Sequence, residues 1–117
     1  MATLIRAQIT GWVSDEFPGI VECRFADRFG REWSVIEKLP VVAVTELRPD
    51  SQFPQPCSIA CEIVGKRKDG AGREIADVII VAPWGLEATD GTTSFELLAE
   101  QIYVDPDACP QGEKGSP

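Results

Sequence analysis

Four cysteines, 19 carboxylates and no histidine are the side chains with chemistry to offer here, and their spacing limits what they can do. Cys57 and Cys61 stand in a C-x3-C spacing that invites a zinc or disulfide reading. The run Cys57-Ser-Ile-Ala-Cys-Glu-Ile-Val64 nevertheless reads as a strand, where residues four apart share a face about 13 Å apart. A disulfide needs Cα atoms within about 7 Å, so these two should not bridge. Zinc wants tetrahedral Cys and His ligands, and histidine is missing, so free thiols and no metal are expected. Cys23 alternates with Val21 and Phe25, the pattern of a core thiol, and Cys109 falls in a Pro- and Gly-rich tail where exposure is expected.

Without histidine the chain lacks the commonest general base and the usual partner of a serine or cysteine nucleophile. Neither G-x-G-x-x-G, a Walker A loop nor G-x-S-x-G occurs. Asp15-Glu16 and Asp105-x-Asp107 fall short of the ligand density of a calcium loop. No cofactor and no catalytic residue are expected.

Charge is more informative. Lysine and arginine total 11 against 19 acids, a net charge of -8, which opposes general binding to phosphate backbones. Lys66, Arg67, Lys68 and Arg73 form one short basic cluster, without the interleaved aromatics of a nucleic-acid site. Residues 74–113 hold nine acids and no base. Such a segment can simply solvate the chain, or it can steer the protein toward a basic partner. Trp12, Phe17, Phe53 and Trp84 lie at strand ends or in loops beside Pro and Gly, where aromatics either plug a barrel's open ends or anchor a partner. With Glu87 and Asp90 they are the candidate partner-binding residues, and Trp84, in Pro83-Trp-Gly85, is the preferred anchor.

The elements that must position these residues follow from period-two alternation. Residues 4–13 place Ile5, Ala7, Ile9 and Val13 on one face and Arg6, Gln8 and Thr10 on the other. After a Pro18-Gly19 turn, Val21, Cys23 and Phe25 point inward along 20–26, and a return strand follows in 32–38. Val41–Leu47 is β-branched and predicts a fourth strand, with Pro40 starting it or breaking it from the one before. Residues 57–66 and 74–82 predict two more. Asp27-x-x-Gly-Arg-Glu32 recurs as Asp69-x-x-Gly-Arg-Glu74, each between strand-like runs, which predicts two like hairpin turns. Asp90-Gly91 predicts a third turn. From Ser94, a strand through Leu97 competes with a helix begun by a Thr93-x-x-Glu96 capping box, and 98–102 stays open between them.

These elements predict an all-β protein, a small partly closed antiparallel barrel of six to eight short strands over residues 1–104, with 105–117 a flexible tail. The longest apolar run, Val78–Pro83, is far short of the ~20 residues of a membrane helix. The N-terminus has no signal-like pattern either, so a cytoplasmic protein is expected. The functional expectation is a non-enzymatic protein-binding module, an inhibitor or immunity-type protein for a basic partner. Its rivals are a small-molecule site or carboxylate-dependent enzyme in the barrel mouth, and an RNA-contacting small barrel. A continuous apolar patch rimmed by acids would favour the first, a deep pocket with converging carboxylates the second, and a basic groove beside exposed aromatics the third.

Overall fold

Alternating apolar residues along the first strand need two flanking strands to satisfy its backbone, and the structure supplies three. The computed structural model describes residues 2–16, 18–42, 47–48, 50–82 and 85–105. Strand β1 (Ala2–Ser14) pairs along one edge with β4 (Gln55–Ala60). Its other edge is shared, with β8 (Ile102–Asp105) on its first residues and β2 (Ile20–Ala26) on its last. β3 (Glu32–Lys38) completes this sheet beside β2. A second sheet runs in the order β5 (Glu62–Lys68), β6 (Glu74–Ile79), β7 (Ser94–Leu98). All pairings are antiparallel, and neither sheet closes on itself. No helix among the described residues is long and apolar enough to cross a membrane.

The core lies between the sheets. Ile5, Ala7 and Ile9 of β1 meet Val21, Cys23, Val35, Ile59, Val78 and Leu97 in one buried cluster. Phe95 is its aromatic centre, edge-on to Phe25 and to Trp33 with centroids 5.0 Å away in each case.

Four expectations from the sequence are corrected by this structure. Val13 was expected inside but is 54% exposed. The register of β1 against β2 shifts between Ile9 and Gly11 and again between Trp12 and Ser14. A one-residue slip reverses the faces of a strand, so Trp12 turns to the core and Val13 away from it. Val41–Leu47 does not begin as a strand. Leu39–Val42 is a single helical turn, α1, that packs on β3 and β4 and buries Val42, while residues 43–46 lie outside the described residues. Pro40 suits a first helical turn, where its missing N–H has no partner to lose. The strand expected over 57–66 breaks at Cys61, where the chain leaves the first sheet for the second. Within the open stretch 98–102, Leu98 ends β7, Ala99–Gln101 is a short 3-10 turn and Ile102 begins β8, which carries Asp105 into the sheet where the sequence predicts the tail.

The repeated turn is present twice. Asp27 N–H donates to the Arg31 carbonyl at 2.9 Å and Gly30 N–H to the Asp27 carbonyl at 3.0 Å; Asp69, Gly72 and Arg73 repeat the pattern at 3.0 Å each. Each aspartate accepts two further backbone N–H bonds on Oδ1. Gly30 and Gly72 hold φ at 83° and 84°, a region closed to most L-residues. Ala88–Thr92 closes with the same backbone pattern around Asp90-Gly91.

Candidate functional site

The two like turns meet. Arg28, in the first, donates from Nε to Glu96 Oε1 of β7 at 2.8 Å, and its backbone N–H donates to the Glu96 carbonyl at 2.9 Å. Its Nη1 lies 3.6 Å from Asp69 Oδ2 in the second turn. The β2–β3 turn is thereby held over the outer face of the second sheet, and a groove of about 390 Å3 opens beneath it.

The groove's apolar side comes from Phe29, Trp33, Val64 and Phe95, and its polar side from Asp27, Asp77 and Glu96. Phe29 stands at the turn's tip, 66% exposed, and Val64 is 61% exposed. Val64 faces outward because β5 is bulged there: Ile63 pairs with Val78 and Gly65 with Asp77, leaving Val64 without a partner across the ladder. Gly65, Asp77 and Glu96 form one cross-strand row.

Hydrogen bonds favour the ionised form of Glu96 and Asp27. Bonds from Arg28 and then Arg67 keep Glu96 below the usual carboxylate range. Burial pushes Asp27 upward, but bonds from Trp33 and from the backbone of Arg31 and Phe29 outweigh it and leave Asp27 lowered. Asp69 is lowered chiefly by the Arg73 backbone N–H. Arg67 bonds Asp77 at 3.2 Å and Glu96 at 2.6 Å, and Arg73 bonds Asp69 at 2.8 Å. Two of the four cations of the 66–73 cluster are thus committed to the protein's own acids.

A second hollow, about 400 Å3, lies on the outer face of the first sheet between Arg6, Gln8, Arg24 and Glu32. Its charges answer one another: Arg24 sits 3.3 Å from Glu22 and 3.5 Å from Glu32, and Thr10 donates to Glu22 at 2.7 Å. Arg6 lies 4.5 Å from the centroid of the Tyr103 ring, and none of the exposed large apolar side chains lines this hollow.

The residues singled out from the sequence are not brought together at the first groove. Trp12 and Phe53 are half-buried and pack edge-on, 6.4 Å between centroids, against the core. Trp12 Nε1 is buried without a hydrogen-bond partner among the described residues. Glu87 and Asp90 are exposed on the 86–92 segment, where Asp90 Oδ1 accepts the Thr92 N–H at 3.0 Å. Phe17, Trp84 and Cys109 lie outside the described residues. Cys23, Cys57 and Cys61 are free and buried. Cys23 and Cys57 sit on strands either side of β1, with their thiols within hydrogen-bonding reach of each other. A hydrogen bond with Cys57, then burial, raises the Cys23 thiol, and burial pushes Cys61 up to about 12. Among the described residues no group of three or more His, Cys, Asp or Glu could hold a metal ion.

Sequence reasoning passed over Phe29, Val64, Asp77 and Glu96. One signal was legible, a phenylalanine between Asp27 and Gly30 in a turn whose other copy carries Gly70-Ala71. Compared with protein-family models, with curated proteins and with solved structures, the chain gives no match in any of the three.

Proposed function

We propose that this protein is a non-enzymatic binding module that recognises a basic protein through the groove under the β2–β3 turn, in the manner of an inhibitor or immunity-type protein. The observation that carries the reading is Phe29, 66% exposed beside Val64 and rimmed by Asp27, Asp77 and Glu96. Apart from the Arg28 guanidinium over one face, this large ring stands mostly in water at a hairpin tip, and aromatics of this kind are the usual anchors of interfaces. The rival readings have less support. A general acid needs a carboxyl raised toward neutrality, whereas every carboxyl with a resolved shift is lowered. An RNA site needs free cations, and Arg67 and Arg73 are engaged internally.

We also read the two sheets as one interrupted barrel, because β4 runs into β5 through Cys61 and Arg28 ties the β2–β3 turn to β7. Buried, unpaired cysteines suit a reducing, cytoplasmic setting.

The test replaces Phe29 with the photo-crosslinking residue benzoylphenylalanine in producing cells. Position 104, exposed on β8, serves as control. A basic protein captured at 29 and not at 104 is the expected result. Equal capture at both positions, or none at 29, would remove the groove as the recognition surface.

A further inference from the structure

The chemistry of the groove points to one kind of occupant. Its lining includes three carboxylates and no lysine or arginine; Arg28 and Arg67 bond Glu96 without lining the groove. Both guanidinium groups bond the same atom, Glu96 Oε1, at 2.8 and 2.6 Å. A carboxylate offers about four lone-pair sites, so Glu96 keeps capacity for another donor. Beside it lie an exposed ring and an exposed aliphatic side chain, Phe29 and Val64. Apolar surface leading to a carboxylate suits a side chain with a hydrocarbon stem and a charged head. At about 390 Å3 the groove is at the small end of the roughly 300–1,000 Å3 of ligand pockets. It has room for one long side chain rather than a folded element.

The protein's own arginines show the fit. Arg67 reaches Asp77 and Glu96 with its guanidinium while its side chain stays 42% exposed. Arg28 lies over the Phe29 ring at 4.2 Å from the centroid and Arg31 over Trp33 at 4.1 Å, so two of the groove's three rings already accept cations on a face.

We propose that the groove binds the side chain of a single lysine or arginine presented by the partner, its stem against Phe29 and Val64 and its head on Glu96 and Asp77. This rests on the binding-module reading above and specifies what the module grips. Arg67 competes for the same two carboxylates, so it weakens the site it borders.

The probe is a set of blocked pentapeptides, Gly-Gly-X-Gly-Gly, with X arginine, lysine, citrulline or norleucine, titrated into 15N-labelled protein. The arginine or lysine peptide should shift the amides of Phe29, Val64, Ser94 and Glu96 saturably, with Kd on the order of 1–10 mM for so small a contact. Citrulline, which keeps the shape without the charge, and norleucine, which keeps the stem, should bind at least about tenfold more weakly. Phe29→Ala should weaken the charged peptide by about tenfold, and Arg67→Gln should tighten it several-fold. Glu96→Gln should abolish the shifts, and the spectrum itself reports whether that variant folds. Equal binding of citrulline, or shifts centred away from the groove, or none with either cationic peptide, would overturn the proposal. A crosslink at Phe29 with no cationic preference would sink the cation site alone, while loss of the crosslink would sink the underlying reading.

Discussion

Phe29 and Trp33 stand four residues apart on one hairpin and separate the two jobs an aromatic can do. Trp33 is half-buried, stacked edge-on to Phe95 and bonded through Nε1 to Asp27 Oδ2 at 3.0 Å. Phe29 spends most of its surface in water. Trp33→Ala should therefore cost about 2–3 kcal/mol in urea denaturation, whereas Phe29→Ala should stay within about 0.5 kcal/mol of the parent. A large loss at Phe29 would mean that the ring is structural and that the anchor role is misassigned. The cysteines make a second prediction at this scale. Thiolate is the reactive form, and Cys23 and Cys61 are both shifted upward while buried. A thiol reagent at pH 7.5 should modify Cys23, Cys57 and Cys61 at the rate of global unfolding and far faster in denaturant. Prompt modification of any of the three would contradict their placement. Core cysteines were legible from alternation, since Cys23 follows Val21 and precedes Phe25. Trp12 and Val13 were not, because a bulge exchanges their faces and leaves no mark on a period-two pattern.

Among the elements, the turns were the most legible, and their chemistry explains why. Asp at the first position and Gly at the fourth satisfy the backbone of the turn almost alone, so the motif survives in two unrelated places. Gly30→Ala and Gly72→Ala should each cost about 1–2 kcal/mol, since both enter a φ region closed to alanine. What the sequence did not disclose is that the two turns touch. The contact depends on Arg28 reaching Asp69 and Glu96, and residues 41 and 68 positions apart have no local signature of meeting. The contact predicts a pH dependence. The carboxyls of Asp69 and Glu96 lie lower in the folded state than in the unfolded chain. Their contribution is complete above the unfolded values near 4 and is lost as pH falls through the lower, folded ones. The urea midpoint should decline between about pH 4 and pH 2, and less steeply in Asp69→Asn than in the parent. Parallel declines would show that this carboxylate adds nothing. Strand breaks were also hidden: the β4–β5 run looks continuous, and only its surroundings make Cys61 a corner between two sheets.

For the whole molecule, the question is what makes two open sheets one cooperative unit. The chain crosses from the first sheet to the second once at Cys61 and returns once, through the 3-10 turn, into β8. β8 then pairs Ile102 with Ile5 and Asp105 with Ala2, so the end of the described chain closes on its beginning. Tyr103 adds a hydrogen bond to Ser58 on the far side of β1, and Gln101 Nε2 donates to the Ala26 carbonyl at 2.6 Å, bridging from the end of β2 to the start of β8. Among the described residues the first half of β1 has no other strand partner on that edge, because β2 pairs only with Gln8 onward. Removing β8 should uncover Ile5 and leave a row of β1 backbone groups to water. A chain ending at Gln101 should thus be less stable than one ending at Asp105 by on the order of 3–4 kcal/mol, from a short ladder and its apolar contacts. That is a large share of the roughly 5–15 kcal/mol by which domains of this size hold together. Because the loss falls on the strand shared by both ends, amide exchange should accelerate across β1 and β4 as well as at the cut. If only residues next to the cut exchange faster, β8 is an appendage, and the sheets are joined by their shared core, the Cys61 corner and Arg28.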